Sequence, residues 1–181
     1  MTKKRAPARA MLIAVDGVDP VAVLAEARAA LGALGAPARG GISPWDASGV
    51  FQELAVADEA AGAPSARTLL LLYAADLAFR LRWQIRPALA EGRTVVAAPY
   101  VDTALAFGRA AGLKPSWLMN LFRFAPRPQQ RRFAHARPAR AAAVTSGFVG
   151  FSGVRMAGGS AAARRKIAGQ TALELRRRFD R

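Results

Sequence analysis

Phosphate chemistry is the first activity to test against this sequence, in the stretch "AVDGVDPVAVL" (14–24). A glycine turn here lies between a short apolar run and a helical pattern, which is the arrangement of a phosphate-binding loop. Asp16 and Gly17 open the turn, and Asp19 precedes Pro20 as a cap precedes the first residue of a helix. A working loop also needs a second glycine, a lysine for the phosphates and a Ser/Thr hydroxyl for magnesium, and this stretch has none of them. We therefore expect no more than a weak anion site at the helix N-terminus.

Cysteine and histidine chemistry is nearly absent from the chain. Without cysteine there is no disulfide framework, thiolate metal site or cysteine nucleophile, and this composition fits a reducing cytoplasm. The single histidine, His135, lies in an arginine-rich segment with no second histidine to share a metal. We expect neither a zinc site nor a Ser/His/Asp arrangement.

Positive charge is concentrated in the second half of the chain. The formal net charge is +15, and no Asp or Glu occurs from Thr103 to Leu173. The twelve cations of that stretch are Arg109, Lys114, Arg123, Arg127, Arg131, Arg132, Arg137, Arg140, Arg155, Arg164, Arg165 and Lys166. Such a half-molecule is expected to attract phosphate or nucleic acid at low salt. The alternative is a chain of biased composition, in which arginine and alanine are simply abundant.

The size of the chain favours one folded domain. It has 181 residues, of which 52% are hydrophobic, and this is enough to enclose a core. No apolar run reaches the roughly 18–20 residues that span a bilayer, and Met11–Val15 is too short for the core of a signal peptide. We expect a basic flexible tail over residues 1–10 and a single cytoplasmic domain over residues 11–181.

The elements that would position the loop alternate between strands and helices. "MLIAV" (11–15) predicts a buried strand and residues 20–34 a helix, followed by a loop with one short helix near Gly49–Ala57 and a long helix over Ala66–Ala90. The second half is predicted to contain a strand at "TVVAAPY", helices over Val101–Ala111 and Pro115–Phe124, a polar loop at "APRPQQRRFAHARPAR", a strand at "AAAVTSGFVGF" and a last helix over Ala161–Phe179. Alternation of this kind indicates an α/β layer with a parallel sheet.

The middle of the chain resembles a known family. "LLLYAADLAF", "IRPAL", "EGRTVVAAPY", "VDTALAF" and "WLMNLFRFAPRP" follow one another as in the thymidylate kinase family of P-loop nucleoside monophosphate kinases, and "AVDGVD" matches the opening of that family's loop. The resemblance covers roughly residues 11–128. It implies a three-layer P-loop NTPase-like α/β fold, with a central parallel sheet flanked by helices. It also implies dTMP and magnesium-ATP as the substrates of an active member.

The phosphate loop departs from the family pattern. After Asp19 the family has Gly, a small residue, Gly, Lys and Ser/Thr, whereas Val23 stands here at the lysine position and Leu24 at the magnesium hydroxyl. No lysine occurs between Lys4 and Lys114, so a small shift of the alignment does not restore the motif. The resemblance therefore predicts a degenerate loop.

The family's second phosphate site is altered as well. Its Asp-Arg-Tyr becomes Ala98, Pro99 and Tyr100, the arginine after "AAD" becomes Leu77, and the later glutamine becomes Gly108. Neither alanine nor proline can bind phosphate or magnesium. Losing several such groups together leaves no plausible kinase.

Residues that shape the family's nucleoside pocket are retained. They are Tyr73, where the family stacks an aromatic ring on thymine, together with Tyr100, Thr103 and Phe107. The alternative is that Tyr73 and Phe107 are ordinary core aromatics.

Arginines of the polar loop are candidate anion contacts. The family covers its nucleotide with a mobile arginine lid, and Arg131, Arg132, Arg137 and Arg140 have suitable chemistry. Their spacing matches no lid pattern, so a solvated loop is the alternative.

These observations leave three functional hypotheses. The first is a degenerate thymidylate kinase-like protein without dTMP kinase activity, without a cofactor, kept as a nucleotide-binding remnant for a dTMP-like ligand or as a protein-interaction scaffold. The second is an active kinase that uses magnesium-ATP through a divergent phosphate site. The third is a nucleic-acid-binding protein. Because the family often dimerises through helices, a homodimer or a protein partner is also expected.

Overall fold

The computed structural model describes residues 10–34, 40–56, 62–136, 145–156 and 160–180. The strands are β1 (Leu12–Asp16), β2 (Gly40–Pro44), β3 (Thr94–Ala98) and β4 (Gln130–Phe133). The helices are α1 (Pro20–Gly32), α2 (Val50–Ala55), α3 (Ala66–Arg80), α4 (Arg86–Ala90), α5 (Val101–Ala110), α6 (Pro115–Leu121), α7 (Gly147–Met156) and α8 (Ala161–Phe179). Of the tail predicted for residues 1–10, only Ala10 lies within the described residues.

The four strands form one parallel sheet in the order β2-β3-β1-β4. The central strands β1 and β3 are buried along their whole length, as their unbroken apolar sequences require. Alternate residues of β1 face opposite layers: Ile13 and Val15 pack with Val23 of α1, whereas Leu12 and Ala14 join the core formed with α3, α5, α7 and α8. The predicted α/β fold with a central parallel sheet flanked by helices is confirmed.

Helix α1 begins where its capping residues predict. Asp19 is the N-cap, and one of its carboxylate oxygens accepts a hydrogen bond of 2.9 Å from the N–H of Val21. Pro20 has no N–H to satisfy and occupies the first helical position. The helix ends at Gly32, two residues before the predicted end.

The predicted helix over residues 66–90 is confirmed with one modification. A π-helical turn over Leu81–Ile85 joins α3 to α4, and the N–H of Arg86 bonds to the carbonyl of Leu81. Pro87 lies just after this turn and lacks an N–H, so it cannot continue a regular α-helical ladder.

Two strands lie where the sequence predicted loops. β2, with the sequence "GGISP", pairs with β3, and β4 pairs with β1 inside the segment predicted to be a polar loop. Both are edge strands of the sheet, and their partly exposed residues lack the apolar pattern that marks the central strands.

The strand predicted at "AAAVTSGFVGF" is wrong for the part that the structure describes. Residues 141–144 lie outside the described residues, and Gly147–Met156 is a helix, α7. Its glycines allow close packing on α8, because a Cβ placed at Gly153 would lie 3.3 Å from Cγ2 of Ile167. Within the described ranges, no helix is long and apolar enough to cross a membrane.

Candidate functional site

Asp16 links the phosphate-loop region to the start of α5. It ends β1 and is fully buried. Its Oδ1 accepts hydrogen bonds from the N–H of Tyr100 (3.0 Å), the N–H of Thr103 (2.9 Å) and the Thr103 hydroxyl (2.8 Å). The Thr103 oxygen also accepts a bond of 3.1 Å from the N–H of Gly17. The structure thus brings four of the predicted site residues into one network.

Burial changes the acidity of Asp16. Desolvation, with a further contribution from the nearby Asp102 charge, raises the pKa of Asp16 to about 6, although its hydrogen bonds oppose the shift. Its Oδ2 finds no hydrogen-bond partner among the residues that the structure describes. An anion kept in this position is therefore less stable than in water.

The raised pKa of Asp16 predicts a specific pH dependence of stability. Because the folded pKa of about 6 exceeds the ordinary 3.8, Asp16 contributes stability that is complete below about pH 4 and is lost as the pH rises through 6. For Asp16→Asn, which does not titrate, the free energy of unfolding relative to the unmodified protein should rise by about 2 kcal/mol between pH 4 and pH 7. Urea unfolding at several pH values measures this difference.

An exposed residue that does not titrate provides the control for this experiment. Met119 lies on α6 and is exposed. Met119→Ala should leave the pH profile of stability parallel to that of the unmodified protein. A parallel profile for Asp16→Asn as well would contradict the assigned pKa.

The interior of the phosphate turn is occupied by side chains. Val23, at the position of the family's lysine, is buried in the core between α1 and the sheet. A Cβ placed at Gly17 would lie 2.8 Å from Cγ2 of Val23 and 3.0 Å from the carbonyl oxygen of Ala134. Leu24 is partly exposed, at 38%, and offers no hydroxyl. The space beside the turn is therefore closely packed.

The N-terminus of α1 is covered as well. The Asp19 carboxylate already accepts a helix N–H, which is what a phosphate would otherwise do. The first residue of α7, Gly147, packs against Pro20. A Cβ added at Gly147 would lie 2.9 Å from Cβ of Pro20.

Magnesium-ATP does not fit these residues. Neither Val23 nor Leu24 can ligate a cation or bridge phosphates. In the described part of the chain, no three carboxylate or imidazole side chains gather as a metal site would require.

The four residues of the candidate nucleoside pocket lie close together and are buried. The Tyr73 hydroxyl donates to the carbonyl of Tyr100 at 2.5 Å, and the Tyr100 hydroxyl donates to the carbonyl of Pro126 at 2.8 Å. Burial raises the pKa of both tyrosines above its usual range, so both hydroxyls remain neutral donors.

Phe148 of α7 fills the space between the retained aromatic side chains. Its ring centroid lies 4.5 Å from that of Tyr73, 5.0 Å from that of Phe107 and 5.9 Å from that of Phe51. Phe148 itself is buried. Tyr73 and Phe107 therefore pack in this structure as core residues around one of the chain's own rings. The sequence analysis missed Phe148, because its segment was predicted to be a strand.

Known proteins share part of this sequence and this fold. No protein-family model matches the chain. Probable thymidylate kinases of Pyrococcus abyssi and Pyrococcus horikoshii are each 45% identical to it over 58 residues, which is 32% of this chain and 28% of each relative. The crystal structure of thymidylate kinase from Ehrlichia chaffeensis superposes with a TM-score of 0.61 at 16% identity, over 70% of this chain and 72% of that one.

Over these 58 residues the chain is similar in sequence to proteins named probable thymidylate kinase. The curated relatives align with it over less than a third of their own length. The structural match gives the fold, which is that of a thymidylate kinase.

A buried ion pair lies near the position of the missing thymidylate kinase arginine. The family's arginine after "AAD" is Leu77 here, and Arg80 follows one turn later with its Nε 3.0 Å from Oδ2 of Asp76. Both side chains of the pair are fully buried. The Arg80 Nη1 donates to the carbonyls of Pro99 (2.9 Å) and Ser43 (3.4 Å). The sequence analysis did not select Arg80, although a carboxylate and an arginine four residues apart in an apolar helix signal such a pair.

The predicted anion contacts that the structure describes are paired with carboxylates. Arg131 lies on β4, with Nε 2.8 Å and Nη2 2.7 Å from Oδ2 of Asp102. The Nη1 of Arg132 lies 3.2 Å from Oε1 of Glu26. Arg137 and Arg140 are outside the described residues. The loop predicted for this segment is wrong at Arg131 and Arg132, because both lie on β4, which pairs with β1 at the edge of the sheet.

Proposed function

We propose that this chain is a non-catalytic relative of thymidylate kinases that acts as a protein-interaction scaffold. One observation carries the proposal: the side chain at the lysine position, Val23, is buried in the core and contacts the glycine of the loop. A phosphoryl-transfer site needs a cation there, because catalysis of this reaction depends on positioning and neutralising phosphate charge. We also propose that the chain uses no nucleotide cofactor.

The position of Phe148 favours a scaffold over a nucleotide-binding remnant. A base entering between Tyr73 and Phe107 would have to displace a buried ring that contacts both. Displacing it would expose roughly the apolar surface of a whole phenylalanine, which costs about 1.5–3 kcal/mol before any gain from the ligand.

The arginines near the site give little support to an active kinase with a divergent phosphate site. Compensating cations would be needed, and the candidates Arg80, Arg131 and Arg132 already pair with carboxylates.

Nucleic-acid binding through the basic half is the weaker second alternative. Arg109 pairs with Glu174, and Arg178 lies 2.7 Å from Asp102, which also pairs with Arg131. Because these arginines are paired with carboxylates, less positive charge remains to bind the phosphates of a nucleic acid.

The kinase assay tests the proposal directly. With dTMP and magnesium-ATP, we expect turnover at least about a thousandfold below the 1–100 per second usual for kinases. Calorimetric titration with dTMP, and separately with magnesium-ATP, should show no binding at micromolar concentrations. An active thymidylate kinase measured in the same buffer provides the positive control.

Restoring single groups of the loop should not restore activity. The variant Val23→Lys/Leu24→Ser recovers a lysine and a hydroxyl, yet Pro20 and Asp19 still occupy the start of α1. Turnover by the unmodified chain within the usual kinase range would overturn the proposal.

A further inference from the structure

One face of α8 combines positive charge with an exposed leucine. Arg165, Lys166, Arg176 and Arg177 are exposed, and Leu173, which lies between them, is 56% exposed. We define these five residues as the α8 basic face. Since successive residues of an α-helix are turned by about 100°, the five positions lie within about 120° of one another around the helix axis. The opposite side of α8 packs against α5 and α7.

Most of the charge on the α8 basic face is not neutralised within the chain. Glu174 is the one acidic residue of α8, and it turns toward α5, where its Oε2 lies 2.9 Å from Nε of Arg109. Its Oε1 lies 2.8 Å from Nη1 of Arg177, whose side chain nevertheless remains 70% exposed. The other three cations of the face form no ion pair with the residues that the structure describes. Asp180 lies beyond the helix, as its C-cap.

The cations form two pairs with a gap between them. One pair lies in the second turn of α8 and the other in its last turn, and corresponding members are eleven positions apart, which is about 16 Å along the helix axis. Gly169 and Leu173 lie in the gap. A Cβ added at Gly169 would meet no atom of another element within 4 Å, so packing inside the chain does not require this glycine. Glycine weakens a helix, but it also lets another backbone approach closely.

A second copy of the chain does not suit the α8 basic face. In a two-fold symmetric pair the same patch contacts itself, so the four cations of one copy would lie against the four of the other. Juxtaposed like charges disfavour such an interface. The occupant must therefore carry negative charge.

The exposed leucine distinguishes between two acidic partners. A nucleic acid carries a phosphate at every nucleotide and offers the gap between the cation pairs little apolar surface to cover Leu173. An amphipathic helix of a protein repeats after three turns as α8 does, so acidic residues eleven positions apart match both cation pairs. Apolar side chains between those acidic residues would meet Leu173.

We propose that the α8 basic face binds an amphipathic helix of a different protein, which carries two pairs of acidic residues eleven positions apart and apolar side chains between them. The acidic pairs meet the two cation pairs, and the apolar side chains cover Leu173. The inference rests on the proposed scaffold function and deepens it by naming the chemistry of the partner. Complementary charge selects this partner over others.

Two synthetic peptides of identical composition test the inference with the full chain. Each is a helix of about 20 residues with leucines at i+4 and i+8. The matched peptide has glutamates at i, i+1, i+11 and i+12, on the same face as the leucines, and the mismatched peptide has its four glutamates on the opposite face. In calorimetry at physiological salt, the matched peptide should bind at least about tenfold more tightly than the mismatched one.

Two variants of α8 separate the contribution of charge from that of the leucine. Arg165→Glu/Lys166→Glu should weaken binding of the matched peptide by about tenfold or more, because it places like charges against one another. Leu173→Ala should weaken it by about fivefold, because the apolar contact is lost.

Matched variants outside α8 control for net charge and for exposed apolar surface. Arg28→Glu/Arg93→Glu changes the net charge by the same amount at two other exposed arginines. Val21→Ala trims a side chain of α1 that is 56% exposed, as Leu173 is. Both variants should bind the matched peptide as tightly as the unmodified chain does.

Three outcomes would overturn the inference. Equal binding of the two peptides would mean that charge attracts them without recognition, and binding of neither would remove the proposed partner chemistry. Tighter binding of a duplex DNA of about 20 base pairs than of the matched peptide, lost in Arg165→Glu/Lys166→Glu, would assign the face to nucleic acid.

The kinase assay separates a failure of this inference from a failure of the proposed function. A catalytically active chain that still prefers the matched peptide would reject the non-catalytic function and leave a peptide-binding face. An inactive chain that does not distinguish the two peptides would reject the α8 partner alone.

Discussion

Asp76→Asn is expected to lower the free energy of unfolding by about 3–5 kcal/mol, because it leaves the Arg80 guanidinium charged in the core without its counter-ion. Both side chains are fully buried, with Nε and Oδ2 3.0 Å apart. Asp76 also accepts bonds from the N–H of Asp46 (3.2 Å) and from the N–H and hydroxyl of Ser48 (both 3.0 Å). The substitution therefore also loosens the loop after β2. Urea unfolding measures the loss.

Replacing the arginine of the pair should lower the free energy of unfolding by less than replacing the aspartate. Arg80→Met removes the cation but leaves Asp76 with three hydrogen-bond donors from the loop, whereas Asp76→Asn leaves Arg80 with two backbone carbonyls. In the double variant Asp76→Leu/Arg80→Met the loss should be smaller than the sum of the single losses, since no buried charge remains. A greater loss for Arg80→Met than for Asp76→Asn would contradict this account.

The fold could be predicted from the sequence where burial imposes a pattern. β1 and β3 are covered on both faces, so their residues are apolar throughout and both were found. The edge strands β2 and β4 are held mainly by backbone bonds to a neighbour distant in sequence, and "GGISP" or "QRRF" carries no local mark of that pairing. Helix α7 lies in a segment that was predicted to be a strand, and its packing against α8 at Gly153 joins residues that no local pattern connects.

At the candidate site, the sequence gives the residue types at single positions but not the contacts that these residues make. The missing lysine and hydroxyl at positions 23 and 24 were evident in the sequence, because those groups have no substitutes in that loop. The contacts that occupy the site were not evident. Phe148 contacts Tyr73 and Phe107, which lie 75 and 41 residues before it in the sequence, and no periodicity links the three positions.

Phe148→Ala is the second change with a large expected effect. Removing a buried phenylalanine ring typically costs about 3–5 kcal/mol, from lost transfer free energy and from the cavity left behind. Phe148 is 2% exposed and meets three aromatic rings of the core within 6 Å. Phe124→Ala provides the matched control, because Phe124 is 38% exposed and its loss should cost well under half as much. Equal losses for the two variants would mean that Phe148 is not packed as described.

The cavity of Phe148→Ala tests what this pocket can recognise. Its walls would include the rings of Tyr73, Phe107 and Phe51, and the Tyr73 hydroxyl is already bonded to the carbonyl of Tyr100. Apolar cavities of this kind bind benzene, whereas thymidine would have to bury polar edges without partners. We expect millimolar benzene to raise the Tm of the variant but not of the unmodified protein, and thymidine to raise neither. Stabilisation of the variant by thymidine alone would mean that base recognition survives beneath Phe148, and it would favour a nucleotide-binding remnant over a scaffold.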